Sequence, residues 1–92
     1  MQNNIEIGSL VLATAGRDEG YYFVVIGKPS QDYVLIVNGD NRTLSSPKKK
    51  KIKHLESMDI IFDNIAEKIN QNKKIFDSEI YSVIKKHEKS VK

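Results

Sequence analysis

Ninety-two residues, 39% of them hydrophobic and 29% charged, suffice for one compact core and leave little room for a second independent one. No cysteine is present, which excludes disulfides and thiolate metal sites and leaves stability to packing. The net charge of +3 names no partner until its position along the chain is known.

The opening Met1-Gln2-Asn3-Asn4-Ile5-Glu6 lacks the basic and apolar regions of a secretory leader. No apolar run approaches the roughly 18 residues of a bilayer span. The expectation is a cytoplasmic protein with no membrane partner. Leu10-Val11-Leu12-Ala13-Thr14 and Tyr21-Tyr22-Phe23-Val24-Val25-Ile26 are short runs rich in β-branched and aromatic residues, bounded by glycine, and read as strands. A turn at Lys28-Pro29-Ser30-Gln31-Asp32 leads into a third strand, Tyr33-Val34-Leu35-Ile36-Val37. Asn38-Gly39 predicts a tight reversal into a weaker fourth strand around Arg42-Thr43-Leu44. A fifth, Lys51-Ile52-Lys53-His54-Leu55, alternates lysine and apolar residues. Short strands joined by tight turns predict a small barrel.

After Leu55 the period becomes helical. Met58, Ile61, Phe62, Ile65 and Ile69 form one stripe, with Ser57 as N-cap and Asp59 near the positive helix end. The polar stretch Asn70-Gln71-Asn72-Lys73-Lys74 links to a second helix, capped by Asp77 or Ser78, whose Ile80, Val83, Ile84 and His87 share a face. The fold class is therefore mainly β, a small barrel followed by two short C-terminal α-helices. The expected division is a barrel over residues 1–56 and a helical appendage over 57–92, packed on the barrel or used for docking.

Charge is distributed unevenly along this frame. Residues 1–47 carry three basic and five acidic side chains, 55–92 carry seven of each, and 48–54 carry five lysines and no acid. The excess thus sits in Lys48, Lys49, Lys50, Lys51 and Lys53, a cluster that attracts polyanions; a solvated lysine loop that only aids solubility has the same composition.

Gly8 to Ile26 has the form of an apolar strand, a loop with Gly16, Arg17 and Gly20, and a second apolar strand. It resembles a KOW motif. With Asp32-Tyr33-Val34-Leu35-Ile36, Gly39, Arg42 and Lys51-Ile52-Lys53-His54-Leu55, residues 6–56 resemble the fourteen-e type KOW-domain proteins of the large ribosomal subunit and their short bacterial relatives. The resemblance implies an SH3-like barrel, RNA contact through loops and attachment to the ribosome, with ribosomal proteins as further partners.

On that basis Gly16 and Gly20 would bring backbone close to a phosphate and Arg17 would hold it by a bidentate contact. Asp18 and Glu19 partly offset that arginine. Arg42 joins the same surface. Lys48 to Lys51 and Lys53 supply most of the affinity, with His54 beside them, since sequence-independent attraction grows with the number of cations on the strand. Of the aromatics, Tyr21 or Tyr22 is the candidate to stack on an unpaired base. A glycine turn with an exposed arginine, and strand tyrosines in a core, carry the same letters. Two histidines, no cysteine and no nucleophile elbow, phosphate-binding loop or metal-ligand spacing argue against an enzyme, a cofactor and a metal. The rival class is an SH3-like adaptor that binds protein in transcription or translation, which fold alone cannot separate from an RNA binder. Oligomeric state has no signature in the sequence.

Overall fold

The computed structural model describes residues 5–90. Strands β1 (Ser9–Ala13), β2 (Tyr22–Gly27), β3 (Tyr33–Val37), β4 (Lys48–Lys51) and β5 (Leu55–Ile61) are followed by helices α1 (Asp63–Asn70) and α2 (Asp77–Ser90), with a 3-10 turn, Ile52–His54, between β4 and β5. All pairings are antiparallel in the order β4-β3-β2-β1-β5. The two edge strands stand at opposite ends of that order, yet only three residues separate them. The sheet must therefore curl round on itself into a small barrel-like form. The expected class, mainly β with two C-terminal helices, is the observed one.

Period-2 alternation gives the sheet two apolar faces. Val11, Ala13, Phe23, Val25, Val34, Ile36 and Leu55 turn inward with Ile5 and fill the barrel. Leu10, Val24 and Val37 turn outward, where Ile65, Ile80 and Ile84 of the helices bury them. Gly39 lets α2 seat this closely. At φ +77 it holds a left-handed turn, and a Cβ there would lie 2.3 Å from the Asp77 carbonyl oxygen and 2.9 Å from Tyr81 N.

Four expectations require correction. The fourth strand is Lys48–Lys51, not the segment around Arg42-Thr43-Leu44. There the Asn38 side-chain oxygen accepts from the N–H groups of Asp40 and Arg42, both at 3.0 Å, and Leu44 N donates to Asp77 Oδ1 at 2.8 Å. Those bonds hold the chain in a turn and leave no ladder to form. The expected fifth strand is divided: Lys51 ends β4, Ile52 to His54 form the 3-10 turn, and Leu55 opens β5.

Nor does a helix begin after Ser57. Residues 55–57 pair with Ala13, Leu12 and Val11, and β5 runs on to Ile61. Ser57 Oγ accepts from Asp59 N at 3.1 Å, within an irregularity where Asp59 has φ 57. It closes a bulge rather than capping a helix. Met58 and Ile60 still reach the apolar layer beneath the helices, as do Phe62 and Ile69, whereas Ile61 is 46% exposed. Neither Asp77 nor Ser78 caps the second helix, which already includes both, and the Asp77 carboxylate binds Leu44 N. Glu79 Oε1 instead accepts from the N–H of Phe76, one residue before the helix, at 3.0 Å, half of a capping box.

Candidate nucleic-acid interface

The β1–β2 connection is closed by its own backbone. Ala13 N donates to Tyr21 O at 3.0 Å, Gly20 N to Ala13 O at 2.8 Å, and Tyr21 N to Asp18 O at 3.0 Å. Gly16 and Gly20 hold φ +82 and +90, the left-handed values that such a turn demands. Nothing lies within 4 Å of the space a Cβ on Gly20 would fill, so the backbone there is open to approach. Arg17, Glu19 and Tyr21 are exposed.

The lysine strand is sorted by the pleat. Lys50 pairs with Val34, whose side chain fills the barrel, whereas Lys49 pairs with Leu35 and Lys51 with Tyr33 on the outer face. Lys50 accordingly turns inward and is only 8% exposed. Its Nζ donates to the Ala15 carbonyl at 3.0 Å and lies 3.9 Å from Asp18 Oδ2. Arg42 Nη2 reaches the same carboxylate at 3.4 Å. Asp18 is itself buried, and the two cations beside its carboxylate offset the cost of burying a charge. Its charge is taken up there and does not offset Arg17.

These contacts bring the predicted pieces together. Lys50 clasps the loop at Ala15, and Thr14 N donates to the His54 carbonyl at 2.9 Å, tying the same loop to the 3-10 turn. Loop 14–20 and segment 48–54 therefore adjoin at one end of the barrel. Lys49 and Lys53 are exposed there, Lys48, Lys51 and His54 half-buried. Arg42 sits at the margin, its side chain 30% exposed, and its Nε is buried without a hydrogen-bond partner among the described residues. Among the described residues no three carboxylate or imidazole groups gather closely enough to hold a metal ion. No helix among them is long and apolar enough to cross a membrane.

No protein-family model matches the chain. Over 69 residues, 75% of this chain, it is 32% identical to the "Putative ribosome-binding protein YbzG" of Bacillus subtilis (strain 168), and the match spans 93% of that protein. The chain belongs to the YbzG family. In this family member the aromatic that accompanies the lysines is Tyr33, which the sequence reading did not select. Its ring lies 4.9 Å from Lys49 Nζ, a cation–π contact. The alternation of Val34 and Ile36 into the barrel was the signal that turned Tyr33 outward. Tyr22 is a packing residue instead: it joins the layer under the helices, its ring edge-on to His87 with centroids 4.9 Å apart. Tyr21 is 61% exposed and remains the stacking candidate of the pair.

Proposed function

We propose that this protein is a non-catalytic RNA-binding module of the cytoplasm that attaches to the ribosome, at the large subunit, by gripping phosphates of ribosomal RNA. The supporting observation is the clasp of Lys50 on Ala15 beside Asp18. It fixes the glycine loop against the lysine strand, and on this reading Arg17, Lys49, Lys51 and Lys53 act together on one phosphate strand. Gly16 and Gly20 offer close backbone approach, Arg17 a planar fork for phosphate, and the exposed lysines the charge that drives counterion release. Lys48 and His54 lie at its edge. Lys50 and Arg42 act from behind by holding the loop. Ribosome binding in the relative's name supports the choice of partner, and the resemblance of residues 6–56 to KOW-domain proteins supports the large subunit.

Co-sedimentation with purified large and small ribosomal subunits at low salt tests this. The native protein is expected to pellet with the large subunit and to be released as salt rises, and a folded variant with Arg17, Lys49, Lys51 and Lys53 as alanine is expected to stay in the supernatant. Failure of the native protein to bind either subunit would overturn the proposal. Binding that survives both high salt and the four substitutions would point to a protein partner on the ribosome.

A further inference from the structure

A cleft of about 250 Å³ opens directly beside the loop just described. One wall carries Tyr21, the residue after Gly20. The other is α2, which contributes Tyr81 and Lys85; the exposed Asp40 and Asn41 of the β3–β4 connection and the buried Phe23 and Ile84 complete the lining. Tyr21 and Tyr81 are 61% and 44% exposed. Two tyrosines thus keep much of their apolar surface in water around one concavity, where a flat apolar ligand would gain most by covering them.

The charges narrow the choice of ligand. Of the acids at the cleft, Asp18 is taken up by Arg42 and Lys50, and Glu88 pairs with Lys85 at 3.4 Å. Lys85 Nζ also lies 5.3 Å from the centre of the Tyr81 ring. Asp40 is left as the uncompensated charge. Such a lining repels a phosphate and suits a neutral ring that has amino groups to donate. Among the described residues no group donates to the Asp40 carboxylate, and Asn41 uses its side-chain oxygen to accept from Asn38 at 2.9 Å, with its amide nitrogen still available. The volume falls below the roughly 300–1,000 Å³ of clefts for drug-sized ligands, a scale that fits a single base.

We infer that this cleft takes one unpaired nucleobase of the RNA whose phosphates lie on the adjoining basic loop, stacked on Tyr21 and Tyr81, with its edge read by Asp40 and Asn41. The inference rests on the RNA-binding reading above and adds to it a role for α2. That helix supplies the second wall through Tyr81. The occupant is a base and not a side chain of a protein partner because the cleft is continuous with the loop: Tyr21 follows Gly20 directly, so a strand held at Gly16 to Gly20 passes its next base over it.

The test compares binding of a mixed-sequence single-stranded RNA ten-mer with binding of inorganic polyphosphate, which has the charge and no bases. Native protein is set beside Tyr81→Ala, Tyr81→Phe and Asp40→Asn, each checked for native circular dichroism. Tyr81→Ala is expected to weaken RNA binding on the order of 10-fold, the effect of losing one stacked base, with polyphosphate binding unchanged and Tyr81→Phe near native. Asp40→Asn is expected to alter the preference among bases when homopolymeric ten-mers replace the mixed one, and an unchanged preference would remove Asp40 from the inference. RNA binding by Tyr81→Ala at native affinity would overturn the inference while leaving the RNA-binding reading intact, as would an equal loss for both ligands. An arginine-rich peptide whose binding needs Tyr81 while that of RNA does not would overturn it in favour of a protein occupant. Failure of the native protein to bind either RNA or polyphosphate would overturn both.

Discussion

The outer face of the sheet is divided into two regions built on the same alternation. At one end Leu10, Val24 and Val37 point outward and the helices bury them through Ile65, Ile80 and Ile84. At the other, the residues in the same outward register are Tyr33, Lys49 and Lys51, and the helix-covered cluster does not include them. One pleat makes a core layer where the helices cover it and an open, lysine-bearing surface where they do not. The lysines also guard an edge strand against pairing with another chain, a use that Lys49 and Lys51 share with any phosphate contact.

The comparison can be broken first at the covered end. Ile80→Ala is expected to cost about 2–5 kcal/mol, read from the denaturant midpoint, because a fully buried side chain leaves a cavity between helix and sheet. Lys49→Ala, in the open region, is expected to stay within about 0.5 kcal/mol of native. Equal losses would mean that the helices do not form a packed layer.

Two glycines sharpen the same contrast. Gly39→Ala sets a Cβ against the backbone of α2 and is expected to lose about 3 kcal/mol or more, as overpacking and a left-handed penalty combine. Gly20→Ala meets open space and is expected to lose about 1–2 kcal/mol, the conformational penalty alone. If the two variants unfold together, α2 does not sit as closely on Gly39 as described.

Neighbouring lysines give the next test. Lys50→Met leaves Asp18 buried with Arg42 as its one remaining cation and is expected to cost about 1–3 kcal/mol, whereas Lys49→Met is expected to change stability within about 0.5 kcal/mol and to weaken RNA binding at once. The reverse order in thermal melts would remove the clasp from the explanation.

The smallest effect concerns Glu79. The hydrogen bond from Lys68 first, and the Phe76 N–H second, hold its carboxyl below the ordinary 4.5. A folded value below the unfolded one stabilises fully above the unfolded value and loses that contribution as pH falls through the folded one. Glu79→Gln is therefore expected to lose about 1 kcal/mol or less at pH 7, and the gap from native should close as pH falls below about 4.5. A gap that widens in acid would reverse the sign of this assignment.

The first three strands were legible in the sequence because Val, Ile, Tyr and Phe crowd into short runs with turn residues between them. The fourth was not. Four consecutive lysines have little strand propensity, and Lys48–Lys51 becomes a strand because β3 offers it an unpaired edge. The helical stripe misled for a related reason: Met58, Phe62, Ile65 and Ile69 do share one apolar layer, but Met58 reaches it from a strand, by a bulge that no period announces. Among the site residues, exposure of Arg17, Lys49 and Lys53 followed from charge. The burial of Lys50 and Asp18 required the knowledge that a loop near residue 15 folds over a strand near residue 50, a contact between distant segments that local pattern does not encode.

The most direct measurement is the salt dependence of ribosomal RNA binding for the native protein and for a variant with Lys49, Lys51 and Lys53 as alanine and Lys50 intact. The native protein is expected to lose affinity linearly on a double-logarithmic salt plot. The variant's slope should be shallower by about 2 where all three contacted single-stranded phosphates, at roughly 0.7 for each contact removed, with its melting temperature unchanged. Parallel lines for the two proteins would show that these lysines do not touch phosphate and would contradict the interface.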